Sequence, residues 1–577
     1  VKTYGTVKAV KEPRAVYGHR GKVAWVVDAK PHVALRLKRL FVGALRESAS
    51  VLCLIPSRRV ARDLEWFLER YPMKVSPKLM DEIERLADEH KKGERAVDVC
   101  LAEGYRPPAF TAMTLPPREY QKVGAAMLLA TGRLLLGDDL GLGKTVTAIA
   151  TLTDPRTLPC LVVTMTHLTR QWAAEFARFM PSLLVYVLPK GTPVEIEGRF
   201  PDVIVSNYHK LAGWAEELGG RVKSVVFDEC QELRRAHSQK WDAALHLAQQ
   251  ADFCMGLSAT PIYNYGGEMH SVLDVLTRGE VGSRVEFMAE WGNGNEAIAD
   301  PKAFGHYVRE EGLMLRRTRA EVGREIPKVQ QVVHKVDADL VALEEVSDRV
   351  AALARIILGK TAEAVKGERM RASEEISWRL RQATGVAKAP YVAEFVHMLA
   401  ESEKKVVIFG WHKEVYSIWK DKLRYLNPAF FTGDETPAKK EESKKKFLLD
   451  PACRVMVLSL RAGQGLDGLQ SVCRTVVFGE LDWSPGVHEQ CVGRIARDGQ
   501  AQPVMAYYLV SDYGADPVMA DVIEAKEQQV LGIRDPNATL IERAQVDPER
   551  IRKLAADYLT RHSGLLRIGH VVKPGDA

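Results

Sequence analysis

In LLLGDDLGLGKTVTAIA, a short apolar run from Leu134 to Leu136 leads into Gly141, Gly143, Lys144 and Thr145, and a helical pattern begins at Thr145. Glycines at a strand-to-helix turn let backbone N–H groups approach phosphate oxygens, and the start of a helix adds a favourable dipole. In such a turn Lys144 reaches the β and γ phosphates and Thr145 offers a hydroxyl to magnesium. The spacing G-x-x-x-x-G-K-[ST] is missed at one point, because Asp138 holds the first Gly position. Taken alone, the segment also suits a plain strand-turn-helix.

Farther along, the apolar run in SVVFDEC ends in Asp228 and Glu229. A carboxylate pair there can hold magnesium through water and activate an attacking water, although an isolated Asp-Glu pair is more commonly a solvated strand end. GLSATP places Ser258 and Thr260 at another strand end, where hydroxyls can bond to that pair and sense its state. EQCVGRIARDGQ spaces Gln490, Arg494 and Arg497 by four and three, which predicts one helical face. Two guanidiniums so placed suit charge developing on a transferred phosphoryl group. A surface salt-bridge face is the plain alternative.

These residues need sheets to position them. RLLLG, CLVVT, DVIVS, SVVFDE and CMGLSATP alternate with helical patterns such as TRQWAAEFARF, which predicts a parallel sheet covered by helices. A second alternating set runs through KVVIFG, FFTG, VMVLSL, TVVFG and VMAYYLV. The fold class is therefore α/β with two parallel-sheet lobes and helical insertions, preceded by a small N-terminal α+β domain. The expected divisions are an accessory domain at 1–106, ending at the proline-rich PPAFTAMTLPP, a first lobe at 107–277, a helical insertion and linker at 278–400, a second lobe at 401–533 and a helical extension at 534–577.

Composition excludes several other classes. The 577 residues are 46% hydrophobic and 27% charged, ordinary globular values, and the net charge of +6 leaves polyanion binding to a local groove. The 8 cysteines show no C-x-x-C spacing, against a zinc ribbon or a redox dithiol. No run of about 18 apolar residues predicts a membrane span. The expectation is a soluble, cytoplasmic protein, a monomer without membrane contact.

Read in order, LPPREYQ, DDLGLGKT, VVTMTHLTRQW, VIVSNYHKL, VVFDECQ, LSATP, LMLRRTRAEV, VVIFGW, SLRAGQGLDGLQ, ELDWSP and QCVGRIARDGQ resemble the ordered motifs of superfamily-two helicases, specifically the Swi/Snf-type DNA translocases. DLGLGKT is similar to that family's D-E-x-G-L-G-K-T, so Asp138 is expected there. The resemblance implies two RecA-like lobes and ATP and magnesium as ligands. It implies an ATP site of Arg118, Gln121, Asp139, Gly141, Leu142, Gly143, Lys144, Thr145, Gly465, Asp467 and Gln490, with Gln121 on the adenine edge. Thr145 and Asp228 would hold the metal, Glu229 would position water, and Arg494 and Arg497 would act from the second lobe on closure. Ser258 and Thr260 would couple the lobes, and Thr166, His167, Ser206, Asn207, Tyr208 and Arg461 would face the DNA backbone.

The chain departs from the family at Met165 and His167, where a Pro and a Ser are usual, at Cys230 and Gln231 of the DEAH box, in AGQGLDG, and at Ala496 in place of a His. Its last segments resemble compact annealing-helicase or fork-remodelling members, and the expected source is bacterial or phage. The resemblance implies an ATP-dependent translocase on double-stranded or forked DNA in replication, repair or branch remodelling, with a replication, repair or transcription protein as a further partner. The alternatives are a protein-displacing motor, such as one that clears RNA polymerase, and an ATP-gated DNA clamp with negligible turnover. By analogy the N-terminal domain recognises DNA structure through Arg36, Lys38, Arg39, Arg58, Arg59 and Arg62 with Trp25 and Trp66. The alternative is that the tryptophans are core and the arginines a solvated helix face. KKEESKKKF, from Lys439 to Phe447, suits either a DNA backbone or a solvated helix.

Overall fold

The computed structural model of the protein describes residues 2–11, 23–42, 44–196, 198–260, 267–292, 297–323, 329–344, 366–460, 466, 468–497, 499–517 and 519–520. These fall into two units, one running to Gly323 and the other from Val329 onward.

The first unit opens with a five-stranded sheet of β1 (Gly5–Lys11), β2 (Val23–Ala29), β3 (Leu45–Arg46), β4 (Val51–Leu54) and β5 (Lys74–Val75), in the order β3-β4-β2-β1-β5. Period-two alternation in VAWVVDA turns Trp25, Val27 and Ala29 inward. The helices Pro31–Leu40 and Arg58–Arg70 cover that face with Val33, Leu37, Leu64 and Phe67. Ser57 starts the second of them by accepting a hydrogen bond from the Val60 N–H at 3.2 Å.

The accessory domain does not end at a free linker. The helix Pro77–Leu101 places Leu79, Ile83 and Ala87 in the accessory core and Val97 and Cys100 in the core of the following sheet. Arg58 adds an ion pair to Glu280 at 2.7 Å, and Arg59 one to Glu290 at 2.6 Å, with its guanidinium 4.8 Å from the Tyr307 ring centre. One amphipathic helix thus serves two cores, which the prolines after Tyr105 concealed.

The next sheet holds β6 (Arg133–Leu136), β7 (Cys160–Thr164), β8 (Val185–Val187), β9 (Val203–Asn207), β10 (Ser224–Asp228), β11 (Phe253–Leu257) and β12 (Met314–Leu315), in the order β12-β6-β11-β10-β7-β9-β8, every pairing parallel. β6, β7, β9 and β11 are buried at every residue, as strands covered on both faces must be. Parallel strands bring their C-terminal ends to one edge, and polar loops gather there.

The second unit's sheet holds β13 (Val329–Lys335), β14 (Val406–Gly410), β15 (Ala429–Phe431), β16 (Val455–Ser459), β17 (Thr475–Phe478) and β18 (Val504–Val510), in the order β13-β18-β17-β14-β16-β15, again all parallel. The chain therefore has the two α/β parallel-sheet lobes expected of RecA-like domains.

The expected insertion at 278–400 is divided between the lobes. Helices Arg284–Trp291 and Pro301–Glu310 lead into β12, which pairs with β6 in the first sheet, whereas β13 pairs with β18 in the second. Two-residue β12 and the exposed, glutamine-bearing VQQVVHK carry little apolar signal, so both strands were illegible beside the surrounding helices. Among the described residues no helix is long and apolar enough to cross a membrane, and all eight cysteines are free and buried. The expected extension at 534–577 lies outside the described residues.

Candidate nucleotide site

At the C-terminal edge of the first parallel sheet, β6 runs into the loop Gly137–Gly143, and the helix Lys144–Thr151 starts directly after it. Gly141 and Gly143 have φ of 83° and 74°, left-handed values that favour glycine. A Cβ on Gly143 would lie 2.5 Å from Gln121 Nε2, so the residue is fixed by space as well as by φ.

Gln121 is buried and bonded to the loop itself. Its Oε1 accepts from the Arg118 N–H at 2.9 Å and its Nε2 donates to the Leu142 carbonyl at 2.9 Å. Tyr120 donates its hydroxyl to the same carbonyl at 2.9 Å. Lys144 Nζ donates to the Asp138 carbonyl at 2.8 Å and the Asp139 carbonyl at 3.3 Å. Loss of water lowers the Lys144 pKa, while Asp138 and Glu229 favour its charged form.

Asp228 closes β10 beside this loop. Its Oδ2 accepts from Thr164 Oγ1 and from Trp172 Nε1, both at 2.8 Å, which fixes the carboxylate's rotamer. Burial raises its pKa, and Trp172, Thr164 and then Lys144 pull it back down. A hydroxyl at Thr145 and this carboxylate are hard oxygen donors of the kind magnesium takes, and a cation would offset the burial cost that raises the Asp228 pKa. The residues fit the ion that the motif implies.

Glu229 has φ 53° and ψ 51°, a left-handed conformation that costs a non-glycine residue about 1–3 kcal/mol. Gln231 Nε2 donates to its Oε2 at 2.5 Å. The left-handed backbone turns the chain sharply after β10, and Glu229 lies near enough to Lys144 for its charge to favour the ammonium. At the end of β11, Ser258 Oγ accepts from the Thr260 N–H at 3.0 Å, and both side chains are buried.

The expected DNA-facing set divides. Thr166 is exposed at the turn after β7. Ser206, Asn207 and Tyr208 are buried at 1%, 4% and 3% exposure and are corrected to structural roles. Tyr208 donates its hydroxyl to the Asp228 carbonyl at 2.8 Å, and Asn207 Oδ1 accepts from the His209 and Lys210 N–H groups at 3.1 Å. The resemblance implied a surface role, yet β9 lies between β7 and β8 and these side chains finish the packing. The His167 side chain and Arg461, Gly465 and Asp467 lie outside the described residues.

In the second unit, Gln490 is half-buried on the helix Pro485–Val492. The shared helical face with Arg494 and Arg497 is corrected, because the helix ends at Gly493 and the two arginines lie on the turns beyond it. The Arg494 N–H donates to Cys491 O at 3.3 Å and the Arg497 N–H to Ile495 O at 3.1 Å, tight turns in place of a continuing helix. Glycine in a helix interior costs about 1 kcal/mol relative to alanine, which favours termination there. Arg494 is buried and Arg497 half-buried.

Sequence reasoning missed the groups that hold this edge in place. Thr164 and Trp172 lie within VVTMTHLTRQW, quoted as a motif without a role for either. LMLRRTRAEV contains Arg316, Arg317 and Arg319, which bond to Asp139, Asp138 and Leu140 O. The signal was available in the pairing of a DD doublet with an RRTR cluster.

With the site assembled, relatives can be set beside it. Residues 61–377 match the SNF2-related domain, more than half of the chain, and residues 387–499 match the helicase conserved C-terminal domain. The SWI/SNF-related matrix-associated actin-dependent regulator of chromatin subfamily A-like protein 1 of Drosophila melanogaster is 25% identical over 454 residues, covering 75% of this chain and 59% of that protein. Its Xenopus laevis counterpart is 29% identical over 419 residues, covering 68% and 42%. The DNA annealing helicase and endonuclease ZRANB3 of Mus musculus is 26% identical over 445 residues, covering 71% and 40%. The chain thus spans 40–59% of the length of these relatives.

The solved structure of the Sulfolobus solfataricus SWI2/SNF2 ATPase core in complex with dsDNA is 20% identical, covering 77% of this chain and 97% of that one, with a TM-score of 0.36. The three relatives above are animal proteins, so the expected bacterial or phage source draws no support from them. Two parallel-sheet lobes, a glycine-bounded phosphate loop with Lys144, the Asp228–Glu229 edge and a domain match over more than half its length place the chain in the SNF2-related family.

Proposed function

We propose that the chain is a DNA-dependent ATPase that translocates on double-stranded DNA, acting in replication, repair or fork remodelling. The carrying observation is the convergence of Lys144, Asp228 and Glu229 at one sheet edge, with Glu229 held in a strained backbone conformation of the kind concentrated at functional sites. In this reading Lys144 and the loop N–H groups bind the phosphates, and Thr145 and Asp228 hold magnesium, which when bound neutralises phosphate charge. Glu229 orients the attacking water, and Arg494 and Arg497 stabilise transferred charge.

In the same reading the accessory domain recognises DNA structure through part of the expected basic set. Trp25 is core, and Arg58, Arg59 and Arg62 are paired with Glu280, Glu290 and Asp63. Arg36, Arg39 and Arg70 instead line a hollow of about 610 Å³ with Trp66, which is 62% exposed. Guanidiniums around an exposed indole suit a nucleic-acid strand, phosphates on the former and a base on the latter.

The test is steady-state ATPase activity with no nucleic acid, single-stranded DNA, duplex DNA, forked DNA and duplex RNA. Strong stimulation by duplex or forked DNA is the expected result. Stimulation by RNA alone, or by nothing, would overturn the reading.

A further inference from the structure

Arg316, Arg317 and Arg319 follow β12 directly, and the nucleotide chemistry described above gives them no part. We propose that Arg317 and Arg316 are positioning residues that hold the phosphate loop in its binding conformation before nucleotide arrives. This rests on the nucleotide-site reading and extends it to side chains outside the loop, about 180 positions farther along the chain.

The backbone comes first. Gly137 N–H donates to Leu315 O at 2.7 Å and Asp139 N–H to Arg317 O at 3.0 Å, which carries the β6–β12 ladder beyond the strands and into the loop. Along that extension Arg317 forks onto Asp138, with Nε to Oδ1 at 3.0 Å and Nη2 to Oδ2 at 2.6 Å, and its own N–H adds a third bond at 3.0 Å. Asp138 is wholly buried at 0% exposure. It occupies the position where the general phosphate-loop pattern has glycine, and the fork explains how a carboxylate can stand there.

The same guanidinium donates to the Tyr120 carbonyl and lies 5.4 Å from the Tyr120 ring centre. Tyr120 in turn donates its hydroxyl to Leu142 O, and Lys144 donates to Asp138 O. A closed ring of bonds results, running through Arg317, Asp138, Lys144, the loop, Leu142 and Tyr120. Arg316 secures the next residue, with Nη2 on Asp139 Oδ1 at 2.6 Å, while the Arg319 N–H reaches Asp139 Oδ2 at 3.2 Å.

A surface ion pair would do little of this, because water and side-chain freedom cancel it. Here Arg316 and Asp138 are both out of water, and a planar fork fixes direction as well as distance. The slot is also fitted: a Cβ on Gly124 would come within 3.1 Å of Arg317 Nη2 and 2.9 Å of Thr147 Cγ2. A loop built in advance loses less freedom when phosphates bind, so its supports act on nucleotide affinity.

The test is Arg317→Lys, which keeps the charge and removes the fork. The readouts are KM for ATP, the Kd of ADP with magnesium, and kcat at saturating ATP with duplex DNA. KM and the ADP Kd are expected to rise about tenfold, the loss of one charge-assisted bond. The expected fall in kcat is less than about threefold, because bound phosphates restore the loop. A lower kcat and unfolding midpoint with unchanged KM and Kd is the pattern of a merely structural residue and overturns the proposal. Should that variant not fold, Arg316→Lys, which keeps a charge beside Asp139 and gives up the second bond to the Gly137 carbonyl, decides by the same split, with a KM rise of about threefold expected and an unchanged KM overturning. A parent protein that binds neither ATP nor ADP refutes the nucleotide-site reading instead, and this is seen before any substitution is made.

Discussion

At the C-terminal edge of the first parallel sheet, charge is turned inward. Asp138 meets Arg317, Asp139 meets Arg316, Lys144 donates to two carbonyls, and Asp228 is held by Thr164 and Trp172. On the solvent side of the two helices that cover the accessory sheet, Arg36, Arg39 and Arg70 are exposed around an exposed indole. A group already out of water and bonded acts through geometry, so its removal changes rate or nucleotide affinity. An exposed cation has its water and counterions still to give up, so its removal changes salt-dependent binding. The two regions should therefore fail differently when altered.

The largest effect is expected at the inner edge. Lys144→Ala or Glu229→Gln should lower DNA-stimulated ATPase activity by about 10³-fold or more, the scale on which a group stabilising transferred phosphoryl charge acts. Binding of the nucleotide-free protein to forked DNA should stay near the parental value, because the outer face is untouched. A Glu229→Gln protein that turned over ATP at the parental rate would erase the contrast between the two regions.

Trp66→Ala comes next. Loss of one stacked base is expected to weaken binding to DNA with single-stranded character by about 1–3 kcal/mol. ATPase activity without DNA should not change. Equal affinity of parent and variant for a fork, measured by fluorescence anisotropy, would take Trp66 out of the DNA-binding reading.

A smaller effect is expected from Arg36→Ala and Arg39→Ala. Each should reduce the slope of log affinity against log salt by about 1. Arg59→Ala is the matched comparison, since its guanidinium is spent on Glu290 and Tyr307. It should lower the unfolding midpoint and leave the slope alone.

How much of this was legible depended on whether a residue's partner is local. Apart from β12 and β13, the central strands of both parallel sheets announce themselves as apolar runs, and Lys144, Asp228 and Ser258 stand at or just beyond their ends because chemistry requires those types there. Asp138 could be recognised as a departure from the general phosphate-loop pattern and as the Asp that the resemblance expects, but not as a buried, paired carboxylate, since Arg317, the group that makes it tolerable, lies 179 positions away. The helix Pro77–Leu101 was legible as a helix, but not as one shared by two cores, because amphipathic spacing does not say what packs on each half. The face expected for Arg494 and Arg497 failed at Gly493, where helical spacing continues in the letters and stops in the backbone.

The finest division between the regions runs through Tyr208, for which the family resemblance implied a DNA contact. It lies within the packed edge at 3% exposure, and its hydroxyl donates to Asp228 O at 2.8 Å. Burial raises the phenol's pKa well above its ordinary range, so it remains a neutral donor at any working pH. Tyr208→Phe removes that one bond and keeps the ring in the core. The expected cost is about 1 kcal/mol in unfolding free energy by denaturant titration. DNA affinity and its salt slope should match the parent, because the hydroxyl is not offered to the backbone. A Tyr208→Phe protein of parental stability with a weaker grip on duplex DNA would move this residue to the outward-facing class, and the line between the two regions would then have to be drawn through β9 itself.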